Sequence, residues 1–304
     1  MKTLIIKLGA TGDVVRTTPL LRRLMGQITW LTAAKNTALL ESLADNLGCY
    51  SWEERTRTID RHYDLVINLE DTADVGHFIN TLKFKRLWGA YFDTGGRMCY
   101  TDDSRDWFDL SIISAYGKLK ADKLKFQNRQ AYQELIFKSL GFPFDGDAYL
   151  LPDAIETELS GDVAIAADAG VVWPMKKWAY YHELRERLEG KGVAVNVLPK
   201  RPSLLEHLAD VGNHRCLVGG DSLPMHFALG TGTPCVTLFT CTSPWEIYDY
   251  GLQRKVVSPL LQEFFYKRGY EERATTAISV DEVFDAVMAQ LEAAPPAGKH
   301  VTVK

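Results

Sequence analysis

The chain has 304 residues, 46% of them hydrophobic and 24% charged, a composition that excludes a disordered or fibrous protein. Its length exceeds the roughly 250–300 residues at which single hydrophobic cores stop growing, so two domains are expected. The net charge of −4 gives no support for nucleic-acid binding. No apolar run reaches the roughly 18 residues of a membrane-spanning helix. The five cysteines are scattered and suggest neither a disulfide framework nor a zinc site, so we expect a cytoplasmic protein.

Apolar runs and amphipathic segments alternate along the first half of the chain, which is typical of a parallel sheet with crossover helices. The predicted strands cover 3–8, 28–32, 64–69 and 85–92. The predicted helices cover 14–25, 37–47, 107–119 and 129–140. A stretch rich in glycine and proline, residues 141–147, then breaks the pattern. We therefore expect a first α/β domain over residues 1–150.

The same alternation returns in the second half of the chain. The predicted strands cover 163–167, 193–198, 215–218 and 235–239. The predicted helices cover 178–189, 204–211, 222–229 and 280–291. The last helix opens with a capping box, in which Ser279 is followed three residues later by Glu282. Residues 151–304 are thus expected to form a second α/β domain that ends in about 12 disordered residues.

The first candidate site is the turn after the first strand. Ligands of open α/β sheets bind where strands end at their carboxyl edge. Gly9 and Gly12 would let the backbone approach a ligand there, and Asp13 is expected at the N-cap of the next helix. The local sequence leaves open whether Asp13 only caps the helix or has a chemical role. Pro19 predicts either a kink or a helix that starts just before it.

The second candidate site is another glycine turn, at residues 219–226, which leads from a strand into a helix. Asp221 or Ser222 can cap that helix, and its free N–H groups with the helix dipole favour an anion. His226 follows Ser222 by four residues and projects from the same face. A lone helical histidine is usually a packing residue, but one beside a predicted anion site is better explained by function.

Cations follow two other predicted strand ends of the second half. Lys176 and Lys177 come after its first strand, and Lys200 and Arg201 come after the next. One interpretation is an exposed lysine pair flanked by packed tryptophans. The other is that these cations reach a phosphate bound over the Asp221 turn. Because three strand ends carry polar, mostly cationic groups, the second interpretation predicts a nucleotide-diphosphate cleft.

Cations also cluster in the first half of the chain. Residues 1–150 contain 20 Lys and Arg against 19 Asp and Glu, whereas the remainder contains 15 against 20. The clusters consist of Lys83, Lys85 and Arg86, and of Lys118, Lys120, Lys123, Lys125 and Arg129. Such clusters are either solvated faces or a docking surface for an anionic partner.

Motifs spaced along nearly the whole chain carry a resemblance to a known family. They are LIIKLGATGDVVRTTPLL at 4–21, KKW at 176–178, DSLPMHFA at 221–228 and GTP at 232–234, with weaker echoes at 63–69, 85–89 and 278–283. Together they resemble glycosyltransferase family 9, the ADP-heptose:lipopolysaccharide heptosyltransferases. The resemblance implies a GT-B fold, in which two Rossmann-like doubly wound domains face a central cleft. It also implies that the first domain binds the acceptor and the second binds the nucleotide sugar.

The resemblance further implies an inverting, metal-independent heptosyl transfer from ADP-heptose, with no cofactor beyond this co-substrate. Asp13 would be the general base. The implied donor-binding residues are Lys176, Asp221, Ser222, Leu223, His226, Thr11, Gly12 and Lys200. The implied acceptor-binding residues are Arg16, Lys83, Lys85, Arg86, Lys123 and Lys125, which suit an anionic glycolipid such as a Kdo–lipid A core. Catalysis would then take place in the cytoplasm, with peripheral contact at the inner face of the cytoplasmic membrane.

The chain departs from the family pattern at five positions. Leu223 stands where the family usually has glycine, Thr240 and Cys241 stand where Gly-Pro is usual, and Val171 and Val172 replace small hydroxyl residues. These departures leave open a different donor or acceptor, or loss of activity. A sugar-nucleotide epimerase of GT-B fold, which needs no acceptor, is the alternative enzyme class. A silent binding protein is disfavoured because it would not need the base.

Overall fold

The computed structural model describes residues 1–293, which fall into two compact units. Unit 1 is Met1–Pro152, and unit 2 begins at Asp153. The tail predicted to be disordered lies, after Ala293, outside the described residues. In the described part of the chain, no helix is both long and apolar enough to cross a membrane.

Unit 1 is built on a six-stranded sheet with the order β3-β2-β1-β4-β5-β6. Its strands are β1 (Lys2–Ile6), β2 (Gln27–Thr32), β3 (Leu47–Ser51), β4 (His62–Asn68), β5 (Lys83–Phe92) and β6 (Met98–Tyr100). Its α-helices are α1 (Thr11–Thr17), α2 (Ala73–Ile79), α3 (Arg105–Phe108), α4 (Lys118–Gln127) and α5 (Tyr132–Leu140). β1 to β5 are parallel, and β6 pairs antiparallel with β5. The strand order changes direction between β1 and β4, so this is the topological switch point of the sheet.

The central strands of unit 1 are buried on both faces. Leu4, Ile5 and Ile6 of β1 and Val66 and Ile67 of β4 are all fully buried. Ile5 and Ile67 pack into one apolar cluster, and Leu4, Ile6 and Val66 pack into another. The continuous apolar runs of these strands are therefore the expected sequence of parallel strands covered on both sides.

Unit 2 contains a five-stranded, fully parallel sheet with the order β8-β7-β9-β10-β11. Its strands are β7 (Gly161–Ala166), β8 (Val195–Val197), β9 (His214–Gly220), β10 (Cys235–Phe239) and β11 (Gln253–Val257). Its α-helices are α6 (Tyr181–Glu189), α7 (Leu204–Gly212), α8 (Leu223–Thr231), α9 (Leu261–Phe264), α10 (Glu272–Thr276) and α11 (Val280–Ala293). The switch point of this sheet lies between β7 and β9. Both units therefore have doubly wound strand orders, and the α/β prediction is confirmed.

Two of the predicted helices are wrong. Residues 37–47 do not form one, because a 3₁₀ helix covers Ala34–Leu39 and the chain then enters β3. The side chain of buried Asn36 donates to the Leu8 carbonyl at 2.8 Å and holds this segment against β1. The helix predicted over 107–119 is replaced by α3 and a turn. Gly117 precedes α4 with a φ of 76°, a conformation that breaks the helical path.

The helix after β1 is shorter than predicted. It begins at Thr11 and changes at Thr18 into a 3₁₀ helix over Thr18–Arg22, whose first turn contains Pro19. Proline has no N–H to donate, so it is accommodated in the first turn of the second segment. At the position where a kink or a new helix start was predicted, the chain therefore changes from an α-helix to a 3₁₀ helix.

Candidate functional site

A carboxylate from β4 holds the turn after β1 at the switch point of unit 1. Glu70 follows β4, and its Oε1 accepts the backbone N–H of Leu8 at 2.8 Å and of Gly9 at 3.3 Å. The same oxygen accepts from Nζ of Lys7 at 2.9 Å. The ends of the two central strands are therefore tied together where an open α/β sheet binds its ligand.

Asp13 is the third residue of α1, whose N-cap is Ala10, so the expectation that Asp13 caps the helix is wrong. Its carboxylate instead pairs with Arg16 at 2.9 Å and lies 3.8 Å from Nζ of Lys7. The Asp13 side chain is 33% exposed, whereas that of Lys7 is 9% exposed. A carboxylate that is held by two cations and still open to solvent is suited to accept a proton from a bound molecule.

Two buried residues, Thr17 and Tyr132, hold Asp13 and Arg16 in place. The Thr17 hydroxyl donates to the Asp13 carbonyl at 2.6 Å and lies 2.6 Å from the Tyr132 hydroxyl. The Arg16 guanidinium stacks 4.0 Å from the centre of the Tyr132 ring. Burial by itself lowers the pKa of Lys7, but the Asp13 and Glu70 carboxylates outweigh it and hold that pKa above its ordinary value. Lys7 is therefore a fixed positive charge beneath Asp13.

Thr11 and Gly12 occupy the first turn of α1 beside Asp13. The Thr11 hydroxyl donates to Oδ1 of Asn36 at 2.8 Å, so it helps to hold the turn. Gly12 is partly exposed. Sequence reasoning singled out Arg16, Thr11 and Gly12 but missed Lys7 and Glu70. Both could have been found, because each is a charged residue directly beside a run of buried apolar positions.

In unit 2 the switch point carries a buried ion pair. Nζ of Lys176, in the loop after β7, donates to the Asp221 carbonyl at 2.6 Å and to Oδ2 of Asp221 at 3.0 Å. Asp221 follows β9, and both side chains are only 16% exposed. A Cβ at Gly220 would lie 3.0 Å from the Lys176 carbonyl oxygen, so the absence of a side chain lets the two loops approach.

The charges around Asp221 determine its protonation. Burial alone raises the pKa of Asp221, but Lys176 and His226 outweigh it, so the pKa lies far below its ordinary value. His226 is buried in the first turns of α8, and the N-cap of that helix is Ser222. The Ser222 side chain does not cap the helix and donates instead to the Gly220 carbonyl at 3.3 Å. Leu223 is the first residue of α8 and is partly exposed.

This low pKa predicts a pH dependence of stability. Because Asp221 has a lower pKa in the folded chain than the ordinary 3.8, its charge stabilises the fold above about pH 4. That contribution is lost as the pH falls below about 4. We expect the loss of unfolding free energy in Asp221→Asn, measured by urea denaturation, to be constant from about pH 7 to 5 and to shrink at about pH 3. An unchanged loss at about pH 3 would contradict this account.

Other predicted residues surround the same edge of the unit 2 sheet. Lys200 follows β8, is 91% exposed and lies 3.8 Å from Asp168, which follows β7. Arg201 instead pairs with buried Asp210 of α7 at 2.6 Å, which makes it a structural cation. After β10, the Thr240 hydroxyl donates to the Met175 carbonyl at 2.8 Å and so fixes the residue before Lys176. Among residues 1–293 no group of His, Cys, Asp or Glu could hold a metal ion.

The first cationic cluster lies away from Asp13. Lys83 opens β5 opposite His62, at the amino edge of the sheet, whereas Asp13 follows the carboxyl edge. Lys85 pairs with Asp64 at 2.7 Å, and Arg86 pairs with Asp103 at 2.7 Å. The two edges are about 13 Å apart along β1. Lys123 and Lys125 lie on α4. Of the predicted acceptor residues, Arg16 is in contact with Asp13.

The arrangement at Glu70 gives a prediction. Glu70→Gln should lower the free energy of unfolding by about 1–3 kcal/mol, because the buried Lys7 ammonium loses its nearest carboxylate. The measurement is urea denaturation at neutral pH. Glu134→Gln is a control, since Glu134 is likewise a carboxylate that accepts a backbone N–H in unit 1, from Ala131. An equal or larger loss in the control would contradict a special role for Glu70.

The comparisons with known proteins concern the family and the fold. Residues 162–271 match the model of glycosyltransferase family 9 (heptosyltransferase). This range includes Lys176, Asp221 and His226. No curated protein matches the chain in sequence.

Solved structures with the same fold cover nearly the whole chain. The heptosyltransferase WaaC of E. coli, solved with ADP, has a TM-score of 0.61 at 15% identity over 95% of this chain and 100% of its own. A family 9 glycosyltransferase from Veillonella parvula DSM 2008 has a TM-score of 0.64 at 15% identity, covering 96% and 97%. The E. coli ADP-heptose lps heptosyltransferase II has a TM-score of 0.62 at 17% identity, covering 96% and 99%. The fold class predicted for both domains, GT-B, is therefore confirmed.

Proposed function

We propose that this chain, whose second unit contains a glycosyltransferase family 9 domain, transfers a heptose from ADP-heptose to an acceptor hydroxyl with inversion at the anomeric carbon. The observation that carries the proposal is the chemistry at the two switch points. Unit 1 presents an open carboxylate on a buried cationic support, and unit 2 presents a buried lysine beside the start of a helix. WaaC has also been solved with ADP-2-deoxy-2-fluoro heptose, which supports this donor class.

Unit 1 would supply the base. An Asp13 oxygen takes the proton of the acceptor hydroxyl while the hydroxyl oxygen forms a bond to the anomeric carbon. The bond from that carbon to the β-phosphate oxygen breaks on the opposite face, and its electron pair leaves with ADP. Arg16 and Lys7 orient the Asp13 carboxylate before reaction, which lowers the cost of reaching the reactive geometry.

Unit 2 would bind the donor and meet the charge that develops on ADP. Lys176 would supply a positive charge for the diphosphate, and the N–H groups at the start of α8, together with the helix dipole, would supply more. Asp221 holds Lys176 in position by accepting two hydrogen bonds from its Nζ, one at the Asp221 carbonyl oxygen and one at the carboxylate. We assign Ser222, Leu223 and His226 to the walls of the same site.

We further propose that transfer needs no metal, because a lysine and helix N–H groups can neutralise a leaving diphosphate. The glycosyltransferase TibC of enterotoxigenic E. coli has a similar fold and contains iron. The experiment must therefore test whether this chain needs a metal.

The experiment is calorimetric titration with ADP, ADP-heptose, UDP and GDP, each with and without EDTA. We expect the two adenosine compounds to bind selectively and EDTA to have no effect. Selective binding of UDP or GDP would contradict the donor assignment, and loss of ADP binding in EDTA would contradict metal independence. Product formed from ADP-heptose alone, without acceptor, would favour the epimerase instead.

A further inference from the structure

A segment of unit 1 that the proposed function does not use combines exposed apolar side chains with a high positive charge. We call residues 112–129 the docking segment. Ile112, Tyr116 and Leu119 are 70%, 60% and 84% exposed, so three large apolar side chains close together in the sequence face solvent, and grouped exposed apolar side chains are typical of an interaction site. The segment contains five Lys and Arg and a single Asp, although the whole chain has a net charge of −4. Its charge is therefore opposite in sign to that of the chain.

The docking segment is held firmly on the body of unit 1. Ile113 packs against the main apolar cluster, and Ser114 is buried. The Ala115 backbone N–H donates to the Tyr100 hydroxyl at 2.8 Å, and Ala121 is the buried residue of α4. Ile112 and Tyr116 therefore flank a stretch of backbone that is fixed to unit 1 through Ile113 and Ser114. Their side chains remain exposed although the backbone between them is held in place.

The exposed face of α4 continues this surface. Leu119 and Lys123 are four residues apart, on the side of the helix opposite buried Ala121. Asp122 pairs with Lys118, so the one acid of the segment is neutralised within it. Lys120 and Lys123 are exposed and have no ion-pair partner in the described part of the chain. Apolar side chains surrounded by free ammonium groups match the interface of an anionic bilayer, where the former insert and the latter contact headgroups.

We propose that the docking segment seats unit 1 on an anionic lipid surface. The inference deepens the proposed function, because it places the base-bearing unit at a membrane, where a glycolipid acceptor would be presented. A soluble polyanion would use the lysines but gain nothing from exposed Ile112, Tyr116 and Leu119. The apolar half of the segment therefore distinguishes a bilayer from such a partner.

The test is sedimentation of the full chain with vesicles of phosphatidylcholine, with or without about 30% phosphatidylglycerol, at roughly 0.1 M and 0.5 M NaCl. We expect binding to the anionic vesicles that weakens with salt. Leu119→Ser should lower the partition coefficient about tenfold through lost apolar burial. The double variant Lys118→Gln with Lys120→Gln should lower the partition coefficient at least about tenfold, because each cation near an anionic surface contributes roughly fivefold to binding.

Matched controls keep the outcome specific to the segment. Met25→Ser removes another apolar side chain of unit 1 that is 75% exposed, and Lys191→Gln with Arg254→Gln removes the same charge from unit 2. These controls should change the partition coefficient by less than about twofold. The proposal would be overturned if the chain did not bind the vesicles or if the controls lost as much binding as the test variants. It would also be overturned if the lysine changes weakened binding and Leu119→Ser did not. ADP titration of the same samples reports separately on the donor site, so failure of one proposal is distinguishable from failure of the other.

Discussion

Asp13→Asn should lower kcat by about two to four orders of magnitude and leave the Kd for ADP nearly unchanged. The amide has the shape of the carboxylate but cannot accept the proton of the acceptor hydroxyl. Binding of ADP should persist because the proposed donor residues near Lys176 belong to unit 2, whereas Asp13 belongs to unit 1. The measurements are steady-state transfer with a saturating acceptor and calorimetric titration with ADP.

Asp64→Asn is a close control for that experiment. The Asp64 side chain is also 33% exposed and also pairs with a cation, Lys85, but it lies at the amino edge of the sheet. Asp64→Asn should retain kcat within about twofold, because the chemistry is expected only at the carboxyl edge. Wild-type turnover in Asp13→Asn would refute the assignment of the base.

Lys176→Met should weaken ADP binding by about 10- to 100-fold, since a charged hydrogen bond contributes about 1.5–3 kcal/mol. It should lower kcat as well, because negative charge grows on the leaving diphosphate as the bond breaks. Stability should fall by about 1–3 kcal/mol, because Asp221 keeps a largely buried charge without its cation. Titration with ADP, transfer kinetics and urea denaturation measure the three effects.

Two variants separate binding from stability in this result. Lys176→Met with Asp221→Asn removes both charges and should recover most of the lost stability while ADP binding stays weak. Lys177→Met changes the adjacent, exposed lysine and should leave the affinity for ADP within about twofold. Full recovery of ADP affinity in the double variant would show that Lys176 acts only by neutralising Asp221.

The architecture could be predicted because its main signals are local. The apolar runs of β1, β4, β7 and β10 identify buried parallel strands, and the glycine turns after β1 and β9 identify the functional edge of each sheet. Asp13, Lys176 and Asp221 all follow such strands. The connection that follows a parallel strand begins at the carboxyl edge whatever the strand order is, so the edge to which these connections belong could be predicted without tertiary information.

The remaining features depend on contacts between distant residues. Nothing in residues 37–47 shows that Asn36 bonds to the Leu8 carbonyl, yet this contact sets the 3₁₀ helix there. Strand order places Glu70 beside Lys7, and order is not encoded in the periodicity of either strand. The cations at Lys83 to Arg86 were associated with the acceptor by charge alone. Their position at the start of β5 puts them at the other edge.

The contacts that hold the helix of the proposed base determine when this part of unit 1 can fold during synthesis. Arg16 and Thr17 contact Tyr132, which follows them by more than 110 residues in the chain and opens α5. Gln133 also donates to the Arg16 carbonyl at 3.1 Å. A nascent chain leaving the ribosome therefore exposes the base-bearing turn long before its support exists. Because domains fold as units, the turn reaches its working geometry only after α5 has emerged, and any fragment that ends before Tyr132 lacks a properly seated Asp13.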